Sequence, residues 1–193
     1  NILMSVLLTA SLSAALPLSA ASHVDVVKMR TENRVNPLGI GTSTPRFSWQ
    51  ITSDRKGVVQ TSYQILVASS REKLDRNEAD LWDSGERNSD EQLWIPYQGK
   101  ALLSGAQAYW KVRITTNKGK SEWTEPQLFT IGLLGETKWS GTWIGLEDLQ
   151  PGEQKGMHTR LAARYIRKDF AAKGKVKRAL AYVAGLGVYE FYV

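Results

Sequence analysis

The stretch AYWKVRITTNKGKSEW, residues 108–123, constrains the fold most, because its side chains alternate in character with a period of two. Trp110, Val112 and Ile114 are apolar, whereas Lys, Arg and Thr stand next to them. This alternation is typical of a β-strand with one face on a hydrophobic core and the other in solvent. Residues 117–119 then favour a turn. The stretch therefore predicts a half-buried strand that ends in a tight turn.

Other stretches have the composition of short strands. They are HVDVVKMR (23–30), TPRFSWQI (44–51), SYQILVAS (62–69), QLWIPYQGK (92–100) and PQLFTIG (126–132). Pro96 lacks a backbone N–H, so its strand is expected at a sheet edge. Ser70 is placed to cap one short helical turn, and residues 83–85 favour a turn. Short strands between turn signals predict an all-β fold, with an antiparallel β-sandwich over residues 24–134.

Residues 1–21 have the character of a secretory signal peptide. They carry no charge, their centre from Ile2 to Leu16 is apolar, and small residues follow Pro17. This is the pattern of an export signal whose basic first part is missing. A transmembrane anchor is the alternative, but Ser, Thr and Pro interrupt the run, and a span needs about 20 apolar residues. We therefore expect an exported protein, periplasmic or extracellular, without a stable membrane span.

Residue counts exclude several kinds of chemistry. The chain has no Cys, which excludes a thiol nucleophile and a Cys-based zinc site. Its two His, at positions 23 and 158, are far apart, so no metal cluster, Ser-His-Asp triad or cofactor site is expected. The net charge of +6 raises the question of nucleic acid. Because Lys175 and Lys177 alternate with Val176 as on a strand, and because an exported protein meets little nucleic acid, no nucleic-acid partner is predicted.

Acidic and aromatic residues supply the remaining candidates. Paired carboxylates can divide the acid and base roles of glycoside hydrolysis. The acidic candidates lie in a polar, turn-rich stretch that a solvated loop explains without chemistry, so no catalytic residue is predicted: Asp80, Asp83, Glu86, Asp90 and Glu91. Exposed aromatic rings can stack on sugars, and Trp94 and Tyr109 are the candidates, with packing as the alternative. Packing in the core or between domains is expected for Trp49, Trp110, Trp139 and Trp143.

The composition changes around residues 132–145, where four Gly occur. We place a domain boundary near Gly135. Beyond it, Tyr189 and Phe191 fall at a two-residue step, as on a strand. Residues 136–193 therefore predict the start of a second β-sandwich domain, which is expected to be truncated because the sequence stops inside the strand GLGVYEFYV.

The stretch LLSGAQAYWKVRITTNKGKSEWTEP resembles the late strands of a fibronectin type III domain. That pattern has a Leu, a tight turn, an aromatic residue, an alternating strand, a Gly-containing turn and a Ser-x-Trp. It also places a corner Tyr six residues after the Leu. Counted from Leu102, that position is Ala108, and Tyr109 follows one residue later. Either Tyr109 forms the corner through a bulge, or the corner is absent.

A longer series of motifs occurs in one order: NPLGI, PRFSW, QTSYQILVASS, ADLWDSG, WSGTWIG and GLGVYE. The series resembles the N-terminal region of bacterial α-L-rhamnosidases of glycoside hydrolase family 78, from about residue 27 to residue 193. The acidic residue usual after NPLGI is Gly41 here.

The resemblance implies an exported enzyme with several β-domains and an (α/α)6 barrel. In that family the barrel removes terminal α-L-rhamnose with inversion, using a pair of acidic residues. The barrel is expected beyond residue 193, so this chain is expected to be a non-catalytic N-terminal fragment, and its second region the start of a jelly-roll-like sandwich. The implied partners are a rhamnose-containing glycan or glycoside, bound by the catalytic domain, and downstream domains that pack on this chain.

Two alternatives stay open. A free-standing carbohydrate-binding or adhesion module needs coplanar exposed aromatics such as Trp94 and Tyr109. A different multidomain glycosidase with the same front modules is the other alternative, and only sequence beyond Val193 separates it from a rhamnosidase.

Overall fold

The structure, a computed structural model, describes residues 24–135, 139–145, 149, 151–154, 156 and 163–193. All regular elements of these residues lie before residue 131. They are β1 (Val24–Thr31), β2 (Arg46–Ser53), β3 (Gln60–Ala68), α1 (Arg71–Asp75), β4 (Trp82–Asp83), β5 (Arg87–Asn88), β6 (Ile95–Pro96), β7 (Gln107–Thr116), β8 (Gly119–Lys120) and β9 (Gln127–Thr130).

The strands form two antiparallel sheets. The first sheet has the order β1-β2-β6, so Pro96 lies on an edge strand, as predicted. The second sheet is built around β3 and β7, which pair from Gln60 opposite Thr116 to Ala68 opposite Tyr109. The short strands β4 and β5 pair with β3, whereas β8 and β9 pair with β7. This arrangement confirms the predicted immunoglobulin-like β-sandwich.

The NPLGI motif joins the two sheets after β1. Ile40 forms a parallel bridge with Ile131, directly after β9. The Asn36 side-chain oxygen accepts a hydrogen bond of 2.9 Å from the backbone of β9. Gly39 has a φ of 72°, in the left-handed region that favours glycine. A Cβ on Gly132 would lie 3.0 Å from the Gly39 carbonyl oxygen, so the close approach of these two backbones also needs glycine.

Large aromatic side chains fill the space between the sheets. Phe47, Trp49, Trp110 and Phe129 are all fully buried, which confirms the packing predicted for Trp49 and Trp110. The ring centroids of Phe47 and Trp110 are 4.4 Å apart, and those of Phe47 and Phe129 are 5.8 Å apart. Each such burial stabilises the fold by roughly 1.5–3 kcal/mol. These rings make up the centre of the core.

The helix α1 covers part of the outer face of the second sheet. It begins after Ser70, whose Oγ accepts a hydrogen bond of 3.4 Å from the backbone N–H of Lys73, and this confirms the predicted cap. Leu74 of the helix packs against Leu66 and Ala68 of β3. In the period-two alternation of SYQILVAS, Leu66 and Ala68 fall on the face away from Ile65 and Val67, which face the core, and Leu74 of α1 completes a small apolar cluster there.

Lys111 lies on the same outer face and is only 5% exposed. Its Nζ donates to the Leu74 carbonyl oxygen and, at 2.7 Å, to Asn77 Oδ1, and it lies 5.1 Å from the Trp123 ring centroid. Burial lowers the pKa of this amine. The prediction that Lys111 faces solvent was wrong, because α1 packs over it and a cation is favourable at the carbonyl end of a helix.

The tyrosine corner of fibronectin type III domains is not formed by Tyr109. The Tyr109 hydroxyl accepts a hydrogen bond of 2.6 Å from the Gln107 side chain. A different tyrosine, Tyr97, lies with its hydroxyl 2.7 Å from the Lys100 carbonyl oxygen and 3.3 Å from that of Leu81. Burial raises the pKa of Tyr97 to about 12. Tyr97 thus ties the loop after β6 to the start of β4.

The described residues after Gly135 form neither a strand nor a helix. A strand needs hydrogen-bonded neighbours to be stable, and within the described ranges no strand pairs with residues 163–193. The second sandwich therefore stays a prediction. Trp139 and Trp143, expected as packing residues, are exposed. The predicted signal peptide, residues 1–21, lies outside the described residues. Across the described ranges, no helix is long and apolar enough to cross a bilayer.

Candidate functional site

Asp80 fixes the start of α1 through contacts with Ser69, which precedes the helix, and Lys73 within it. Its carboxylate accepts hydrogen bonds from the Ser69 backbone N–H at 2.8 Å and from the Ser69 hydroxyl at 2.7 Å, and it pairs with Lys73 Nζ at 2.5 Å. Burial raises the pKa of Asp80, but the hydrogen bonds from Lys73 and Ser69 together lower it to about 2. The carboxylate is therefore a structural anion that stays charged.

This shift predicts a loss of stability in acid. The ordinary pKa of an Asp is 3.8, and the folded chain lowers that of Asp80 to about 2. The stabilisation is therefore complete above pH 4 and disappears as the pH falls through the folded value. Asp80→Asn should lower the free energy of unfolding at pH 7 by about 1 kcal/mol, a discounted figure because the pair is about one-third exposed. The difference between the two proteins should shrink as the pH falls from 4 to 2 and disappear below pH 2. Urea unfolding at several pH values measures it, and a constant difference would contradict the assignment.

Asp83 and Glu86 also serve the sandwich. Asp83 Oδ1 accepts from the Gly85 backbone N–H at 2.8 Å, which makes the predicted turn, and from the Gln64 amide at 2.9 Å. Glu86 Oε1 accepts from the Ser62 hydroxyl at 2.7 Å. That bond is the main cause of the lowered pKa of Glu86. Both carboxylates therefore fix the strands at the β4–β5 edge.

The other two acidic candidates, Asp90 and Glu91, lie exposed in the loop between β5 and β6. The backbone carbonyl of Glu91 accepts a hydrogen bond of 2.9 Å from the buried Gln60 amide, but its side chain takes no part in that contact. The sequence predicted a solvated loop for the five acidic candidates. Asp90 and Glu91 do lie exposed in a loop, whereas Asp83 lies on β4, and Asp80 and Glu86 accept hydrogen bonds from Ser69 and Ser62.

Trp94 is held in a strained, exposed conformation. Its φ is 60°, which is unusual for a bulky side chain, and the residue is 43% exposed. The Trp94 backbone N–H donates to Ser48 Oγ at 3.0 Å. The Arg46 guanidinium carbon lies 4.0 Å from the ring centroid, a cation–π distance. Strain of this kind persists only when neighbours enforce it, and it is concentrated at functional sites.

Glu32 in turn fixes Arg46. Its two carboxylate oxygens accept from Arg46 Nε at 3.0 Å and Nη2 at 2.7 Å, a bidentate pair. The hydrogen bonds from Arg46 lower the pKa of Glu32, against the opposing effect of burial. No local pattern in the sequence indicates this pair, because the two residues lie 14 positions apart and meet only across the β1–β2 pairing.

Tyr109 differs from Trp94 in its surroundings. Its ring is half-buried against the small cluster under α1, on the outer face of the second sheet. Trp94 lies beside β2 of the first sheet. The structure therefore does not bring the two aromatic candidates into one coplanar platform. Among the described residues, no group of three or more His, Asp or Glu is arranged to hold a metal ion.

Comparison with known proteins identifies relatives of this sandwich. An α-L-rhamnosidase of Formosa agariphila is 34% identical over an alignment of 187 residues, and the match covers 89% of this chain but 20% of that protein. The crystal structure of Streptomyces avermitilis α-L-rhamnosidase complexed with L-rhamnose superposes with a TM-score of 0.60 at 36% identity. That match covers 64% of this chain and 12% of the other.

A third similar protein is the α-L-rhamnosidase from Dictyoglumus thermophilum, with a TM-score of 0.60 at 34% identity over 65% of this chain and 14% of that one. The chain thus spans a fifth or less of the length of these relatives. The protein-family model described as "Rha78A-like, N-terminal immunoglobulin domain" matches residues 26–135, more than half of the chain. The chain therefore belongs to the family of Rha78A-like N-terminal immunoglobulin domains.

Proposed function

We propose that this chain is a non-catalytic N-terminal part of an α-L-rhamnosidase, a glycosidase that removes terminal α-L-rhamnose from glycans or glycosides by inverting hydrolysis. The observation that carries the proposal is that the chain matches only 12–20% of the length of proteins named α-L-rhamnosidases. The structural roles of the chain's acidic side chains also support the proposal. An inverting glycosidase needs two carboxyl groups roughly 6.5–9.5 Å apart across a sugar, whereas Asp80, Asp83 and Glu86 serve loops and strand edges.

The full-length protein that contains this chain tests the proposal. We expect it to hydrolyse an aryl α-L-rhamnoside and to release β-L-rhamnose first, as proton NMR would detect before the anomers equilibrate. Cleavage of other aryl glycosides without cleavage of the rhamnoside would contradict the proposal. That result would favour a different glycosidase with the same front modules.

We also propose that the protein is exported to the periplasm or the extracellular space. The uncharged, apolar run over residues 1–21, followed by small residues, supports this. Intact mass of the protein from its native host should show a mature chain that begins after Ala20 or Ala21. A cytoplasmic protein that keeps this run would contradict the proposal.

A second candidate function is sugar binding at Trp94. The exposed ring and its enforced backbone conformation favour it, because an aromatic face held in place loses little entropy on stacking. Tyr109 contributes less to this proposal, since its ring is half-buried.

Calorimetric titration with L-rhamnose and rhamnose-containing oligosaccharides tests this candidate. We expect weak binding by the chain, with a Kd of about 1 mM, which corresponds to about 4 kcal/mol. Trp94→Ala should abolish it. Leu93→Ala is the matched control, because Leu93 is the exposed neighbour and should leave binding unchanged. Absence of binding by the parent chain, or equal binding by the Trp94→Ala variant, would exclude Trp94 as a sugar platform.

A further inference from the structure

We propose that the turn at residues 103–107 is a docking seat for the second region of the chain, and that the Arg178 guanidinium locks that region onto the sandwich. Two hydrogen bonds carry the contact. Arg178 Nη1 donates to Gln107 Oε1 at 2.9 Å, and Arg178 Nη2 donates to the Gly105 carbonyl oxygen at 2.8 Å. The planar guanidinium thus bridges the Gln107 side chain, at the start of β7, and the backbone of the turn before it, both more than 70 residues away in sequence.

The sandwich presents both acceptors in fixed positions. The Gln107 Nε2 donates to the Tyr109 hydroxyl at 2.6 Å, which leaves the amide oxygen free for Arg178. The Gly105 backbone N–H donates to the Ile131 carbonyl oxygen at 3.1 Å, so the turn is tied to the end of β9. Gly105 has a φ of 74°, where glycine is favoured. Tyr109, a candidate for sugar stacking, is therefore a positioning residue for this seat.

Two further side chains lie beside the hydrogen bonds of Arg178. A Cβ built on Gly105 would lie 3.3 Å from the Tyr182 hydroxyl and 3.9 Å from Leu180 Cδ1, so both side chains lie over this glycine. Leu180 and Tyr182 are 48% and 41% exposed, whereas Leu186 and Val188, farther along, are 88% and 102% exposed. Leu180 and Tyr182 are therefore less exposed than Leu186 and Val188, and both lie close to the Arg178 contact.

The chemistry of these acceptors shows that the contact is not a non-specific attraction between a basic segment and an acidic surface. Both acceptors are neutral, so the contact depends on the geometry of the guanidinium more than on charge. Neighbouring cations such as Lys175 and Lys177 make no contact with residues 103–107 among the hydrogen bonds and ion pairs of the described chain. We therefore infer that the seat recognises Arg178 and sets the orientation of the second region relative to the sandwich.

Distances between two spin labels test this inference. Because the chain has no Cys, Lys56→Cys in the sandwich and Ala184→Cys in the second region introduce unique labelling sites. Both positions are exposed, and neither takes part in the contacts with Gly105 and Gln107 described above. Pulsed electron resonance on the full 193-residue chain then reports the distribution of the distance between the two regions. Near-ultraviolet circular dichroism confirms that the sandwich of each variant is folded.

We expect one narrow distance distribution for the parent. Arg178→Ala and Gln107→Ala should each lose the narrow peak, and Arg178→Lys should recover little of it, because an ammonium cannot span both acceptors. Lys177→Ala, the matched control, should keep the peak, and 0.5 M salt should leave it unchanged. A broad distribution for the parent, a narrow one for Arg178→Ala, loss of the peak in Lys177→Ala, or its loss in salt would each overturn the inference.

Discussion

Replacing Trp110 with alanine is expected to lower the free energy of unfolding by about 3–5 kcal/mol, the usual cost of removing a large buried side chain. Trp110 is fully buried and contacts Phe47 at a centroid distance of 4.4 Å, so its removal leaves a cavity between the two sheets. A domain of this size has about 5–15 kcal/mol of stability in total. The variant should therefore be close to unfolding at room temperature. Urea unfolding followed by tryptophan fluorescence measures the change.

The two core tryptophans differ in the hydrogen bonding of their indole nitrogens, so replacing each with phenylalanine separates the effect of packing from that of hydrogen bonding. The Nε1 of Trp110 is buried without a hydrogen-bond partner in the described part of the chain, whereas that of Trp49 donates to Gln60 Oε1 at 3.0 Å. Trp110→Phe removes an unpaired donor, and relief of its cost, about 1–3 kcal/mol, offsets part of the lost packing. Trp49→Phe instead leaves an acceptor unpaired. We expect Trp49→Phe to be the more destabilising of the two. Equal effects would show that packing alone decides both.

Replacing Gln60 with leucine is expected to be the second large loss, about 2–3 kcal/mol, because it leaves a buried donor unpaired. Gln60 is only 2% exposed. Its Oε1 accepts from Trp49, and its Nε2 donates to the Ser89 and Glu91 carbonyl oxygens at 3.0 and 2.9 Å. The change therefore frees the loop between β5 and β6 as well as the Trp49 indole.

The control for this change is Gln64→Leu on the same strand. Gln64 bonds to Asp83 and Arg113 on a more exposed part of the sheet, and we expect its loss to cost about 0.5 kcal/mol. A double-mutant cycle of Gln60→Leu with Trp49→Phe should show coupling of about 1 kcal/mol or more, since the two residues share one hydrogen bond. Additive effects in the cycle would contradict the role assigned to Gln60.

Period-two alternation predicted the long strands well, because their side chains face either the core or the outside of one sheet. The same pattern explains the core positions of Trp49, Trp110 and Phe47. The edge position of Pro96 and the cap of Ser70 followed from backbone chemistry alone. The strands β4, β5 and β8 could not be predicted in this way, because each has only two residues and two residues do not show a period.

Contacts between segments that lie far apart in the chain could not be predicted from the sequence. The burial of Lys111 depends on α1 packing over β7, and no local signal indicates it. The Glu32–Arg46 pair and the strained Trp94 arise from the pairing of β1, β2 and β6. The two candidate aromatics were selected by strand alternation, but alternation does not show that Trp94 lies beside the first sheet and Tyr109 on the second.

The central claim is that this chain contributes structure and no catalysis to a rhamnosidase. The most direct test is to incubate purified residues 22–193, free of host enzyme, with an aryl α-L-rhamnoside and to measure release of the aryl group. We predict release equal to that of a mock purification from the same host, while the full-length protein shows turnover. Turnover by the fragment above the mock preparation would contradict the claim.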